Sequence, residues 1–269
     1  MPAIRLICTD FDGTVIDHER EPAVSGRLVE RIEELRAEGA VWAMNSGRAL
    51  EMMMDGLHLL PIRPDYLLTS EREVFRPSPD GGWEDFGDWN HRCREAHQGL
   101  FARAKDLLHR IVGHLGERTG AQAVFDGDRP DGLIARSEEE MDGIVRYIES
   151  ARKEWPTLHY QRNSVYLRFC HLAYHKGAAL RELGRLLGIR RGAIFAAGDN
   201  HNDLPMLDGR FAAMPACPGN SIDTVKRSVR AAGGYVAQAR CGDGVAEALA
   251  FFDARQPAGP AGVGRDGGS

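Results

Sequence analysis

The chain has 269 residues, 43% apolar and 27% charged, with a formal net charge of -5. That length holds one large domain or two unequal ones with ample core, and the weak negative charge excludes a general nucleic-acid footprint. No apolar run approaches the roughly 20 residues needed to cross a bilayer, so no membrane partner is expected. The five cysteines are scattered and form no CxxC pair, which fits reduced thiols better than disulfides or a zinc site. The N-terminus lacks the form of a signal peptide, and a cytoplasmic protein is expected.

In chain order, the apolar run Ile4 to Cys8 reads as a buried strand ending in Asp10-Phe11-Asp12-Gly13-Thr14. Val24, Leu28, Ile32 and Leu35 recur at helical spacing, with Gly39 as the stop. Val41 to Met44 is a second strand, ending in Asn45-Ser46-Gly47-Arg48, and a helix follows from Ala49 to about Leu59. Tyr66 to Thr69 makes a third strand. Strand, helix, strand, helix, strand implies a parallel sheet. Val74 to Arg76 and Trp83 to Phe86, joined through Pro79-Asp80-Gly81-Gly82, read as a hairpin.

From about residue 89 the pattern changes to helix, strand, strand, twice over. A long helix to about Glu117 precedes strands near 121–126 and 132–136; a helix at 138–154 precedes strands near 158–162 and 164–170. This predicts a small antiparallel sheet covered on one face by two helices. Around Lys176 the α/β pattern returns. A helix closes at Gly188, the strand Ala193 to Ala197 runs into Gly198-Asp199-Asn200-His201-Asn202-Asp203, and short strands are expected at 211–214 and 235–237. The last helix is expected from Gly244 to about Phe252, and the Pro- and Gly-rich residues after it to be disordered. Gly262-x-Gly264-x-x-Gly267 in that tail has neither a strand before it nor a helix after it, and reads as no dinucleotide site.

Three strands thus end in polar loops on one sheet edge, where open α/β sheets place ligands. Asp10 and Asp12, two apart in an extended chain, project the same way, and two such carboxylates call for a cation or a shared proton. An oxygen-rich cluster without His or Cys spacing suits a hard cation, most of all Mg²⁺. Lysine is scarce here, at 105, 153, 176 and 226 only, so Lys176 at the head of a helix stands out. Lysine and a hydroxyl beside Mg²⁺ suit a phosphate.

Asp10-Phe11-Asp12-Gly13-Thr14, Ser46-Gly47-Arg48, Lys176-Gly177 and Gly198-Asp199-x-x-Asn202-Asp203 resemble, in order, the four motifs of the haloacid dehalogenase-like hydrolases. The nearest likeness is to the Cof-type, class IIB cap phosphatases related to sucrose-phosphate phosphatase. The resemblance implies a Rossmann-like parallel sheet with helices on both faces and an inserted αββαββ cap. The domains would be a core of residues 1–88 and 172–254, a cap of 89–171 and a disordered tail of 255–269. It implies a Mg²⁺-dependent phosphatase acting on a small phosphomonoester, a sugar or polyol phosphate, through an aspartyl-phosphate. Asp10 resembles the nucleophile and Asp12 the general acid/base. Ser46, Lys176 and Asn202 would hold the phosphate. Asp10, the Asp12 carbonyl, Asp199 and Asp203 would serve the metal. Arg48 is left as either a salt-bridge partner or a phosphate or cap contact, and His201 reads as a loop residue. The alternation at 165–170 sends Val165, Leu167 and Phe169 to the cap helices and leaves Tyr166 and Arg168, with Arg136 and Gln161, as candidate substrate contacts. Thr69-Ser70-Glu71 replaces a familiar Asn-Gly, and Met214 to Asn220 is longer than the usual loop. The alternatives are a phosphomutase, a less fitting carbon–halogen hydrolase, and a silent phospholigand-binding protein. The partner would be a small phosphate ester and the protein a monomer or homodimer.

Overall fold

The apolar run forms β1 (Leu6–Thr9), all four residues buried. The structure, a computed structural model, describes residues 3–255; the tail from Gln256, with its glycine pattern and expected disorder, lies outside the described residues. The chain continues through α1 (Gly26–Ala37), β2 (Val41–Asn45), α2 (Leu50–Leu57), β3 (Tyr66–Thr69), β4 (Glu73–Pro77) and β5 (Trp83–Asp85). Next come α3 (Trp89–Gly116), β6 (Gln122–Asp126), β7 (Arg129–Ile134), α4 (Glu138–Ala151), β8 (Leu158–Asn163) and β9 (Tyr166–His171). Last are α5 (Lys176–Leu186), β10 (Ile194–Ala197), α6 (Leu204–Leu207), β11 (Met214–Cys217), α7 (Asp223–Ala231), β12 (Tyr235–Val236) and α8 (Cys241–Asp253).

One sheet has the order β12-β11-β10-β1-β2-β3-β4-β5. β1 to β3 and β10 to β12 run parallel, and β4 and β5 form an antiparallel edge. The alternation along β1 splits the core. Ile7 joins Leu28, Ile32 and Leu35 of α1 and Leu249 and Phe252 of α8 on one face. Leu6 and Cys8 join Leu180 and Leu183 of α5 and Val225 and Val229 of α7 on the other. Both faces are covered by helices, as a parallel sheet requires.

The second sheet is antiparallel, in the order β6-β7-β9-β8. α3 and α4 cover one of its faces, with Leu100, Leu108, Ile111, Ile144 and Ile148 meeting Leu167 and Phe169. α3 spans the two sheets. Its first residue, Trp89, packs in the core cluster, and the Asn90 amide accepts from Val74 N at 2.7 Å and donates to Val74 O at 3.0 Å.

Two expected strands lie elsewhere. The one expected at 211–214 begins only at Met214 and runs to Cys217. Pro215 argues against a strand there, yet it pairs with Ala196 of β10 and precedes only the ladder with β12, which starts at Ala216. The one expected at 132–136 runs from Arg129 to Ile134, and a register shift between Val124 and Phe125 admits Pro130. All five cysteines are free and buried, and no described helix is long and apolar enough to cross a membrane.

Candidate active site

The parallel register aligns the loaded loops. Thr9 pairs with Ala197 of β10 and Met44 of β2, so Asp10, Ser46 and Asp199 follow three adjacent strands at their carboxyl ends. Chain order reverses at β1, between β10 and β2, which opens a crevice there. Asp10 N donates to Ala197 O at 2.8 Å, holding Asp10 beside Gly198. From the α5 N-terminus the wholly buried Lys176 extends its Nζ to 2.6 Å from both Asp10 Oδ1 and Asp203 Oδ1. Asn45 Nδ2 donates to the Lys176 carbonyl at 3.1 Å and fixes the helix start.

Carboxylate oxygens of Asp10, Asp199 and Asp203 lie within 4.8 Å of one another. Asp203 is rigid, because its Oδ2 accepts N–H bonds from Asp199 and Asn200, both at 2.9 Å. Thr14 Oγ1 donates to Asp199 Oδ1 at 2.9 Å. Two glycines allow this crowding. Gly13 has φ +73°, and a Cβ there would lie 2.7 Å from Asp199 Oδ2; a Cβ on Gly198 would lie 2.4 Å from Asp203 Cγ.

Burial and the Asp203 charge push Asp10 well above the usual carboxylate range, against the pull of Lys176. Burial and Asp203 likewise raise Asp199 to about 7, opposed by the Thr14 hydrogen bond. Burial works against the Lys176 ammonium, but Asp10 and Asp203 outweigh it and hold its pKa up. Three close carboxylates therefore face one ammonium. Oxygen donors with uncompensated negative charge fit a hard divalent cation, which would relieve the repulsion that raises Asp10 and Asp199.

Asp12 stands apart from that cluster. Its carboxylate accepts Arg48 Nε at 2.8 Å and Nη2 at 2.7 Å, and its Oδ1 lies 2.8 Å from His18 Nε2. Burial acts to raise its pKa; the Arg48 and His18 hydrogen bonds overcome this and bring it below the usual range. Arg48 makes an ion pair with Asp12, with its guanidinium 4.9 Å over the Phe11 ring. Any metal contact by Asp12 would fall to its backbone carbonyl. Ser46 is buried, and its Oγ accepts Arg48 N at 3.2 Å. Asn202 Nδ2 donates to Glu71 Oε1 at 2.8 Å, while Asn202 Oδ1 is buried without a partner. His201 bonds within its own loop: its N–H donates to Asn200 Oδ1 at 2.8 Å, and its ring Nδ1 lies 3.1 Å from the same oxygen.

A cavity of about 610 Å³ separates this edge from the second sheet. Asp10, Asp12, Ser46, Arg48 and Asn202 line one side; Gln161, Tyr166 and Arg168 line the other. Arg136 does not line it. β7 ends at Ile134, and Arg136 lies past that end, its Nη2 on Glu140 Oε1 at 3.1 Å. Sequence reasoning gave no role to Thr14, His18, Glu71 or Asn163, which are at the site. Thr14 and His18 lie close after Asp12, and Glu71 sits where the Asn-Gly is missing.

The sequence profile of haloacid dehalogenase-like hydrolases matches residues 129–249. A phosphoglycolate phosphatase of Methanothrix thermoacetophila is 38% identical over 249 residues, covering 91% of this chain and 96% of that protein. The sucrose-phosphatase of Synechocystis sp. PCC6803, solved with sucrose and phosphate, has a similar structure: TM-score 0.70 at 18% identity, over 94% of this chain and 99% of that one. A HAD subclass IIB sugar phosphatase aligns with TM-score 0.59 at 16% identity, over 92% of this chain and 98% of that one.

Proposed function

This chain belongs to the haloacid dehalogenase-like hydrolases and is a phosphoric monoester hydrolase, and from that premise we propose a Mg²⁺-dependent phosphatase that works through an aspartyl-phosphate on Asp10. One observation carries the reading: Lys176 Nζ sits 2.6 Å from Asp10 within the Asp10, Asp199 and Asp203 cluster, while Asp12 is held apart by Arg48 and His18. The two carboxylates of the motif thus have different surroundings and different work.

An Asp10 oxygen attacks phosphorus as the bond to the leaving oxygen breaks, and the Asp12 carboxyl, which must first take up a proton against the hold of Arg48 and His18, gives that proton to the leaving oxygen. Water then attacks the phosphorus, Asp12 takes the water's proton, and the bond to Asp10 breaks to release phosphate. Ser46, Lys176 and Asn202 hold the phosphoryl oxygens. Asp10, Asp199, Asp203 and the Asp12 carbonyl would hold Mg²⁺, which supplies a positive charge against the phosphoryl oxygens. Residues 89–171 act as the cap over this reaction. Gln161, Asn163 and Tyr166 offer polar contacts in a cavity of about 610 Å³, in the size range of small-ligand sites, and support a sugar or polyol phosphate as substrate. A second reading, phosphoglycolate, is favoured by the name of the 38% identical relative and by Arg168 in the cavity.

The test is hydrolysis of p-nitrophenyl phosphate with Mg²⁺, with EDTA, and by Asp10→Asn. The variant is expected to lose at least about 10³-fold in kcat, since the nucleophile is gone. Equal activity of Asp10→Asn, or full activity in EDTA, overturns the reading.

A further inference from the structure

Glu71 is a buried carboxylate at the site that the reaction above does not use. Ser70 and Glu71 both adopt left-handed backbone, φ 50° and 64°, where residues with a Cβ are disfavoured. The turn is tied to the loop after β2: Ser70 N donates to Arg48 O at 2.8 Å and Glu71 N to Ser46 O at 2.9 Å. This turn brings the Glu71 side chain under Gly47, where a Cβ would lie 3.2 Å from Glu71 Oε1, and across to Asn202 Nδ2 at 2.8 Å. The carboxylate therefore stands between two phosphate-binding candidates, Ser46 and Asn202, and lines the cavity facing the cap.

The charges along that cavity are unevenly matched. Asp12 is paired with Arg48, and Asp131 with Arg129 at 3.2 Å and Arg168 at 3.6 Å. Asp10 has Lys176. Glu71 forms no ion pair within 4.0 Å among the described residues; its hydrogen-bond partner is the neutral Asn202 amide, and burial raises its pKa against the more distant pull of Lys176 and Arg168. A phosphate held by Ser46 and Asn202 would send its ester chain into the cavity that this carboxylate lines. A hydroxyl on that chain can donate to it, and a second anionic group is repelled.

We infer that Glu71 is a specificity residue, favouring esters of hydroxylated, uncharged alcohols over esters whose alcohol bears a carboxylate. The inference rests on the phosphatase reading and decides between its two substrates. Glu71→Gln keeps the shape and an oxygen to accept the Asn202 N–H while removing the charge. With Mg²⁺, kcat/KM is measured for glycerol 1-phosphate and for phosphoglycolate. The ratio of phosphoglycolate to glycerol phosphate is expected to rise about tenfold in Glu71→Gln and to stay at the wild-type value in Glu71→Asp, which keeps the charge. An unchanged ratio in Glu71→Gln, or an equal fall for both esters in both variants, reduces Glu71 to a support for Asn202 and overturns the inference. Wild-type turnover of p-nitrophenyl phosphate separates this failure from that of the phosphatase reading: if it is absent, both fall.

Discussion

Lys176 is wholly buried with a carboxylate 2.6 Å away on either side, Asp10 and Asp203. Removing one member of a buried ion group leaves the rest uncompensated, at a cost of about 3–5 kcal/mol. Lys176→Met should therefore lower the urea midpoint substantially in EDTA, and Mg²⁺ should restore part of the loss by taking over the countercharge. A midpoint equal to wild type in EDTA would show that Asp10 and Asp203 are relieved some other way. Thr14 acts on the same cluster from one bond further out. Its hydroxyl orients Asp199 at 2.9 Å and opposes the rise of that carboxyl. Groups that orient ligands in this way are worth about 10–100-fold in metal affinity. Thr14→Val should weaken Mg²⁺ binding by that factor in calorimetric titration, with little change in the melting temperature of the metal-free protein.

At the scale of elements, α3 depends on a neutral histidine. His97 Nδ1 donates to Cys93 O at 2.8 Å, and Nε2 accepts His171 N from β9 at 3.1 Å, so the ring needs both nitrogens in different states. Burial, then the Arg72 charge, lowers its pKa from 6.5 to about 4. Below 6.5 the unfolded chain takes up a proton that the folded one refuses. The contribution of His97 is thus fully present above pH 6.5 and is lost as pH falls toward 4, a change of at most about 3 kcal/mol. Urea midpoints measured across that window should fall with pH, and less steeply in His97→Gln; identical slopes would refute the neutral ring. Contacts like this were not legible in sequence, because they join α3 to a strand 74 residues away. The meeting of Asp10, Ser46, Lys176 and Asp199 was legible, since each follows a buried strand or opens a helix and parallel pairing does the rest. Arg136 was misjudged because alternation was extended past the strand: β7 ends at Ile134, the chain then turns to Ser137, the N-cap of α4, and the Arg136 guanidinium pairs with Glu140. Glu71 was visible as a departure, but its bond to Asn202, 131 positions on, belongs to the tertiary fold.

The two sheets differ in how much chain they need. β1, the strand that carries Asp10, pairs with β2 and with β10, so its ladder closes only when residues near 194–197 are present. Most of the contacts within the second sheet lie inside residues 89–171, and fifteen buried hydrophobic side chains form a cluster there. Local pairing closes early and at low entropic cost, whereas the β1–β10 pairing closes a loop of more than half the chain. A segment of this size is near the lower limit for an independent core, about 60–80 residues. The isolated segment 89–171 is therefore expected to unfold cooperatively by circular dichroism. The segment 1–88 should not, since β1 would present one unpaired edge and the apolar face that α5 and α7 cover. A cooperative melt of 1–88 would mean that β1 needs no β10 to fold, and none for 89–171 that this segment draws its order from the rest of the chain. The cavity then could not be treated as a reaction centre on one independently folding segment faced by side chains of another.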